Sequence, residues 1–209
     1  MSATTGRFIS LEGGEGVGKS TQARALAAAL RARGHDVIET REPGGSAGAE
    51  AIRALLLEGD ADRWTAGAEA LLFAAARADH VAKTIRPAIA AGRWVLSDRF
   101  LDSSLAYQGG ASGVSIEQLH VLHAVGSGGL LPDRTLLLTL PPEEALRRAD
   151  ARDRGGADRI GGRDAAYHLR VATGFLALAE VEPARFRIVD ALGTPEAVTA
   201  RLFAAVADL

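Results

Sequence analysis

Gly13-Gly14-Glu15-Gly16-Val17-Gly18-Lys19-Ser20 has the spacing G-x-x-x-x-G-K-[ST], the arrangement of a loop that wraps phosphate groups. Its glycines permit turns that aim successive backbone N–H groups inward, and a helix beginning at its end adds the partial positive charge of an N-terminus. Lys19 is then placed to bridge the β- and γ-phosphates of a purine nucleoside triphosphate. The Ser20 hydroxyl is placed to ligate Mg²⁺, which keeps several waters and takes phosphate oxygens as well. The candidate ATP-binding stretch runs from Gly13 through Thr21.

Such a loop serves GTPases, ATPases, motors and small-molecule kinases alike, so other residues must choose among them. The chain has two lysines, Lys19 and Lys83, and none in its second half, which argues against a guanine-reading Asn-Lys-x-Asp. A motor or transporter ATPase normally ends an apolar strand in an acidic pair and adds further domains. Here the apolar run ends at Ser97-Asp98-Arg99-Phe100, and 209 residues leave no room for a second domain. A compact kinase remains.

The elements that must hold these residues are legible in the hydrophobic pattern. Phe8 to Leu11, Val37 to Glu39, Trp94 to Leu96, Thr135 to Leu140 and Phe186 to Val189 are short, nearly continuous apolar runs, as in strands covered on both faces. The segments joining the last four are too long for hairpins, so the pattern predicts a five-stranded parallel sheet in a three-layer α/β fold. Helices are predicted over Ser20 to Arg33, Ala49 to Leu57, Thr65 to Ile85, Ser115 to Val125, Pro142 to Ala151, Asp164 to Ala179 and Pro195 to Val206. Ser115 opens a capping box, Gly34 and Gly59 suit helix ends, and Pro87 is expected to close the third helix. Asp150 to Arg163 holds Arg152, Arg154, Arg159, Arg163 and four glycines in fourteen residues, and is expected to form a mobile, positively charged flap.

Composition bounds the rest. Hydrophobic residues make up 47% and charged residues 24%, the balance of a globular chain and not a disordered one. The formal net charge of -2 offers no global attraction to nucleic acid or an anionic membrane. Cysteine is absent, which excludes disulfides, thiolate metal sites and cysteine nucleophiles. No run approaches the roughly 18 apolar residues of a membrane span, and Met1 to Gly6 lacks a signal-peptide pattern, so a cytoplasmic, single-domain protein over 1–209 is expected.

Over nearly its whole length the chain resembles the bacterial thymidylate kinases. The resemblance is carried by Ile9 through Thr21, Thr40-Arg41-Glu42-Pro43-Gly44-Gly45, Leu71-Leu72-Phe73-Ala74-Ala75-Ala76-Arg77, Asp98-Arg99-Phe100, Ser103-Ser104-Leu105-Ala106-Tyr107-Gln108-Gly109 and Asp158-Arg159-Ile160. It implies the strand order 2-3-1-4-5, transfer of phosphoryl from ATP to dTMP with Mg²⁺, and a homodimer packed through helices, with Glu69 to Val81 or Ser115 to Val125 as candidate faces. Three positions depart from the family pattern: Ser112 lies where arginine is usual, Gly161 where glutamate follows Asp-Arg-Ile, and Thr139 where aspartate is frequent.

The resemblance also assigns roles. Arg99 grips the acceptor phosphate, facing the phosphate loop across a gap one phosphoryl group wide. Asp98 either contacts Mg²⁺, directly or through water, or keeps Arg99 in register. Phe73 and Arg77, four apart on one helix face, suit a ring stacked on a pyrimidine and a guanidinium donating to its carbonyl; in the family that carbonyl is the thymine O4. Ser104 and Gln108 resemble the residues at the pyrimidine N3 edge, Tyr107 the ring that crowds the sugar C2′, and Glu15 the acceptor of the 3′-hydroxyl. Asp190 falls near the donor base. The phosphate loop carries no arginine, so Arg152 or Arg154 is expected to bring the transition-state charge. Two rival readings are another nucleotide or deoxynucleoside kinase, with Glu42 as base, and a nucleotide-binding regulator without turnover.

Overall fold

A computed structural model describes residues 6–152 and 158–209; the side chains of Asp150 and Arg152 fall outside the described set. Five strands, β1 (Phe8–Glu12), β2 (Val37–Arg41), β3 (Trp94–Asp98), β4 (Arg134–Thr139) and β5 (Phe186–Asp190), form one sheet in the order β2-β3-β1-β4-β5. Every pairing is parallel, as the long connections require. Alternation along each strand serves two cores. Ile9, Leu11, Leu96, Leu136 and Leu138 point to one face, where they meet α1 (Lys19–Ala32) and α9 (Pro195–Ala204). Phe8 and Val95 point to the other, onto α3 (Ala66–His80), α4 (Arg86–Ala90) and α6 (Ile116–Ser127).

Helix ends follow their local chemistry. Ser46 caps α2 (Ala47–Leu57), Thr65 caps α3, and Ser115 with Gln118 forms the expected reciprocal box at α6. Asp164 caps α8 (Ala165–Val181), accepting from the Tyr167 N–H at 2.7 Å.

Two segments differ from the pattern-based expectation. The helix begun at Ala66 does not stop before Pro87: it widens into a π-helical stretch over Val81–Ile85 and continues as α4. Proline has no N–H for the carbonyl four residues back and its ring crowds that carbonyl, and a π turn absorbs the misfit. The segment after β3 is helical, with α5 (Leu101–Ser104) running into a π-helical stretch over Leu105–Ala111. Gly109 and Gly110 hide this helix from propensity. Its burial against α8, where Gly174 lies close to Ala106, supplies the stability that the glycines withhold.

α7 (Pro142–Arg152) lies against the phosphate loop, and Gly16 is the point of contact. A Cβ built there, at φ +75°, would stand 2.1 Å from the Ala145 carbonyl oxygen. Gly34, at φ +91°, has nothing within 4 Å of a Cβ. Gly16→Ala should therefore displace α7 from the loop and lower kcat/KM for ATP by about a hundredfold. Gly34→Ala should cost only about 1 kcal/mol of stability and leave turnover intact. Steady-state kinetics beside urea denaturation of both variants checks this; equal kinetic effects would remove the special role of the Gly16 contact.

Candidate active site

β1 and β3 are neighbours, with Leu11 paired to Asp98, so the loop after one strand and the residues ending the other share an edge of the sheet. That is the carboxyl edge, where open α/β sheets form their crevices. Gly18 takes the left-handed conformation (φ 90°) and launches α1 directly at Lys19. The Lys19 Nζ folds back over the loop, donating to the carbonyls of Gly13 (3.1 Å) and Gly14 (2.7 Å). Beside it the Ser20 Oγ donates to Asp98 Oδ2 at 2.5 Å, so the two residues expected to serve a cation are adjacent.

Arg99 is the one non-glycine residue with positive φ (74°) among the described residues. Such a conformation persists only when its surroundings hold it. Here the Arg99 N–H donates to Leu11 O, the Ser97 hydroxyl donates to Arg99 O, and the next amide, Phe100 N–H, donates to Glu12 Oε1 at 2.7 Å. The result turns the guanidinium toward the phosphate loop. Nη1 donates to Gly13 O and Ser103 Oγ, both at 3.2 Å, Nη2 donates to Glu15 Oε1 at 2.5 Å, and the group lies over the Tyr107 ring at 4.9 Å. The Tyr107 hydroxyl donates to the same Glu15 oxygen. Arg99 and the loop are thus in direct hydrogen-bond contact: a part-buried guanidinium takes the nearest acceptors, and Glu15 with Gly13 O supplies them.

Glu12 is fully buried beneath this turn. Burial, then repulsion from Asp102, pushes its carboxyl up to about 8, against the opposing pull of hydrogen bonds from Ser103 and Phe100 and the Arg99 charge. Its two oxygens accept from Phe100 N–H and the Ser103 hydroxyl, and so hold the turn from beneath.

The far end of the cleft is built on α3. Phe73 and Arg77 share one helix face, as their spacing predicts, and both line the cleft. Arg77 is 3% exposed and is clamped: Nε donates to Glu42 Oε2 at 2.7 Å, and Nη2 donates to Ser104 Oγ at 2.8 Å and Phe100 O at 3.2 Å. Glu42 also accepts from His80 Nδ1 at 3.0 Å, and the other ring nitrogen lies 2.6 Å from Thr40 Oγ1. A carboxylate only accepts, so His80 carries its proton on Nδ1. Gln108 lines the cleft beside Ser104 and Tyr107, its Nε2 donating to Glu69 Oε1 at 2.9 Å. Residues of the phosphate loop and of α3 line one cavity of about 610 Å³.

Sequence reasoning missed several contributors. Arg24, Arg41, Arg53 and Arg148 also line the cleft, from four different helices and strand ends. Glu42 is no free base at a strand end, because both oxygens are taken by Arg77 and His80. Arg159, one of the arginines of the expected flap, has a buried side chain bonded to Leu56 O, Ala61 O and Glu69. Glu69, Phe73, Arg77 and His80 recur at one-turn spacing on the inward face of α3, and charged residues at that helical spacing were the available signal. Asp190 ends β5 and accepts from the Leu192 N–H. Arg154 and the side chain of Arg152 lie outside the described residues. No helix among the described residues is long and apolar enough to cross a membrane.

Comparison with known proteins places this arrangement. A family model described as "Thymidylate kinase" matches residues 11–202. The chain is 68% identical over 204 residues to a thymidylate kinase of Rhizorhabdus wittichii, covering 98% of each chain. It is 52% identical over 199 residues to one of Caulobacter vibrioides, covering 95% of each. A crystal structure of thymidylate kinase from Ehrlichia chaffeensis superposes with a TM-score of 0.76 at 27% identity, over 95% of this chain and 97% of that one. With the family matched across nearly all of its length and the fold matched with it, the chain belongs to the thymidylate kinase family.

Proposed function

We propose that this chain phosphorylates dTMP to dTDP, a step in dTTP biosynthesis, with ATP as donor and Mg²⁺ as the accompanying cation. The observation that carries the reading is one cavity with two chemically different ends: a phosphate loop joined to Arg99, and Phe73, Arg77, Ser104 and Gln108 on the acceptor side. Working as a homodimer, in the cytoplasm, and as one domain whose flap spans about 150–163, belongs to the same reading.

The acceptor's 5′-phosphate has a second pKa of about 6, so it is already mostly dianionic at neutral pH and needs no strong base. One of its oxygens forms a bond to the γ-phosphorus as the bond to the β-phosphate oxygen breaks, and ADP leaves. The protein's task is to bring two polyanions together and stabilise the spreading charge. Loop amides from Gly13 to Thr21 and Lys19 hold the donor. Arg99, whose acceptors Glu15 and Gly13 O mark where its guanidinium reaches, holds the acceptor phosphate. Glu15 and Tyr107 take the sugar, as the family resemblance assigns them, and Phe73 and Arg77 take the base. Two hard oxygens, Ser20 Oγ and Asp98 Oδ2, stand together at the loop's base, and Mg²⁺ needs only one or two protein oxygens beside phosphates, so this donor set fits it. When bound, the cation neutralises phosphate charge. Glu42, saturated by Arg77 and His80, is not placed to serve as the base a nucleoside substrate would require.

Three outcomes follow from this reading. Incubation of pure protein with ATP, Mg²⁺ and a panel of nucleosides and monophosphates should give dTDP as the main product by mass spectrometry; turnover confined to nucleosides, or none, refutes it. Arg152→Ala with Arg154→Ala should lower kcat by orders of magnitude without shifting Tm, whereas unchanged turnover would take the transition-state charge away from the flap. Burial, then the Arg99 charge, lowers the Lys19 ammonium to about 8 in the free protein, against the pull of Glu15, Asp98 and Glu12. As pH rises through that value Lys19 loses the charge that attracts phosphate, so kcat/KM for ATP should fall on the alkaline side near pH 8. Bound phosphates raise the value, so kcat should hold its plateau further up; a kcat limb at the same pH contradicts this role for Lys19.

A further inference from the structure

Glu69 is a carboxylate 1% exposed on α3, one helical turn from Phe73 and two from Arg77. Its Oε2 accepts from Arg159 Nη2 at 2.5 Å and Arg163 Nη2 at 2.7 Å, and its Oε1 accepts from Gln108 Nε2 at 2.9 Å. Two guanidiniums donate to Oε2, and Oε1, the other oxygen of this paired carboxylate, is the acceptor that faces Gln108. The Gln108 amide is therefore locked with its NH₂ on Glu69. Its carbonyl oxygen has no partner among the described residues, and the residue lines the cleft.

Arg77 is set in the complementary way. Glu42, Ser104 and Phe100 O take its Nε and Nη2, and its Nη1 has no partner among the described residues. The same wall of the cleft thus offers one fixed donor and one fixed acceptor. Each is fixed from behind by a buried carboxylate.

We propose that Glu69 is a positioning residue for base choice: by orienting the Gln108 amide it presents an acceptor to the pyrimidine N3, selecting bases that carry N3–H beside a 4-carbonyl. Thymine and uracil have that pattern. Cytosine has the reverse, with an unprotonated N3 beside a 4-amino group, so it would set acceptor against acceptor at Gln108 and donor against donor at Arg77. A site whose buried polar groups are left unpaired by the wrong ligand rejects it by large factors. This inference rests on the pyrimidine-monophosphate reading given above and deepens it.

The test is the ratio of kcat/KM for dTMP to that for dCMP, with ATP and Mg²⁺, in the intact protein. Glu69→Gln gives Gln108 a partner that both donates and accepts, so the amide can turn over. The ratio should fall about tenfold or more, with KM for dTMP carrying the change. A merely structural role would lower both substrates alike and leave the ratio where it was. Should Glu69→Gln fail to fold because Arg159 and Arg163 lose their counter-charge, Glu69→Asp keeps the charge and withdraws the carboxylate by one methylene; the ratio should then fall in the same direction by a smaller factor. A ratio unchanged in the folded variant, while the parent protein converts dTMP, overturns the role of Glu69 and leaves the kinase reading standing. A parent protein that does not convert dTMP instead overturns that reading, and the role of Glu69 with it.

Discussion

The pairing of β1 with β3 places Leu11 beside Asp98, and the charged groups of the phosphate end stand where that register puts them. One strand runs into the phosphate loop and the other into Arg99, so the two cationic devices start from adjacent points on the sheet edge. Had β3 slipped by one residue, Asp98 would face the opposite side of the sheet, and Ser20 would lose its neighbour. The left-handed turn at Arg99 depends on the same register, because its amide donates to Leu11 and the following one to Glu12. A conformation unfavourable for an arginine is thus held by the ends of two strands that the hydrophobic core already fixes.

Elements governed by local chemistry were readable from the chain. The phosphate loop, the continuous apolar strands and the Ser115 capping box depend on residues within a few positions of one another, and they stand where the pattern puts them. The parts that were not readable depend on distant partners. Arg77 meets Glu42 at a separation of 35 residues, Gln108 meets Glu69 at 39, and Arg159 meets Glu69 at 90. In a linear reading Glu42, Glu69 and Arg159 are charged residues like any others, and charged residues default to the surface. The helix after β3 was hidden for a related reason, since its glycines lower propensity while burial under α8 overrides them.

Burying these charges is costly, and the cost bears on what they are for. A buried ion pair often contributes no more stability than apolar residues of the same volume, whereas breaking one by removing a partner costs about 3–5 kcal/mol. Arg77–Glu42 and Arg159–Glu69 are both nearly fully buried. Stability alone therefore does not account for them, and the cleft does. A guanidinium or amide that is to read a base must present a known atom at a known place, and a carboxylate behind it removes the alternatives. The conformational entropy of Arg77 and Gln108 is then lost during folding and not during binding.

Helix α3 ties these demands together. Glu69, Phe73, Arg77 and His80 recur at intervals of one turn on its inward face, so a single rigid element carries the ring, the guanidinium, the carboxylate that sets Gln108 and the imidazole that supports Glu42. Small shifts of α3 would move all four together, preserving their mutual geometry while changing their distance from the phosphate loop. Glu69 extends this coupling to the C-terminal end of the arginine-rich segment, because Arg159 and Arg163 end on the same carboxylate as Gln108. Gln108 in the cleft and the two arginines therefore share one carboxylate, and displacing either side changes the hydrogen bonding of the other. One helix thus carries Phe73 and Arg77 along the cleft and, through Glu69, is bonded to two guanidiniums and an amide from two other segments, so its position and theirs are set together.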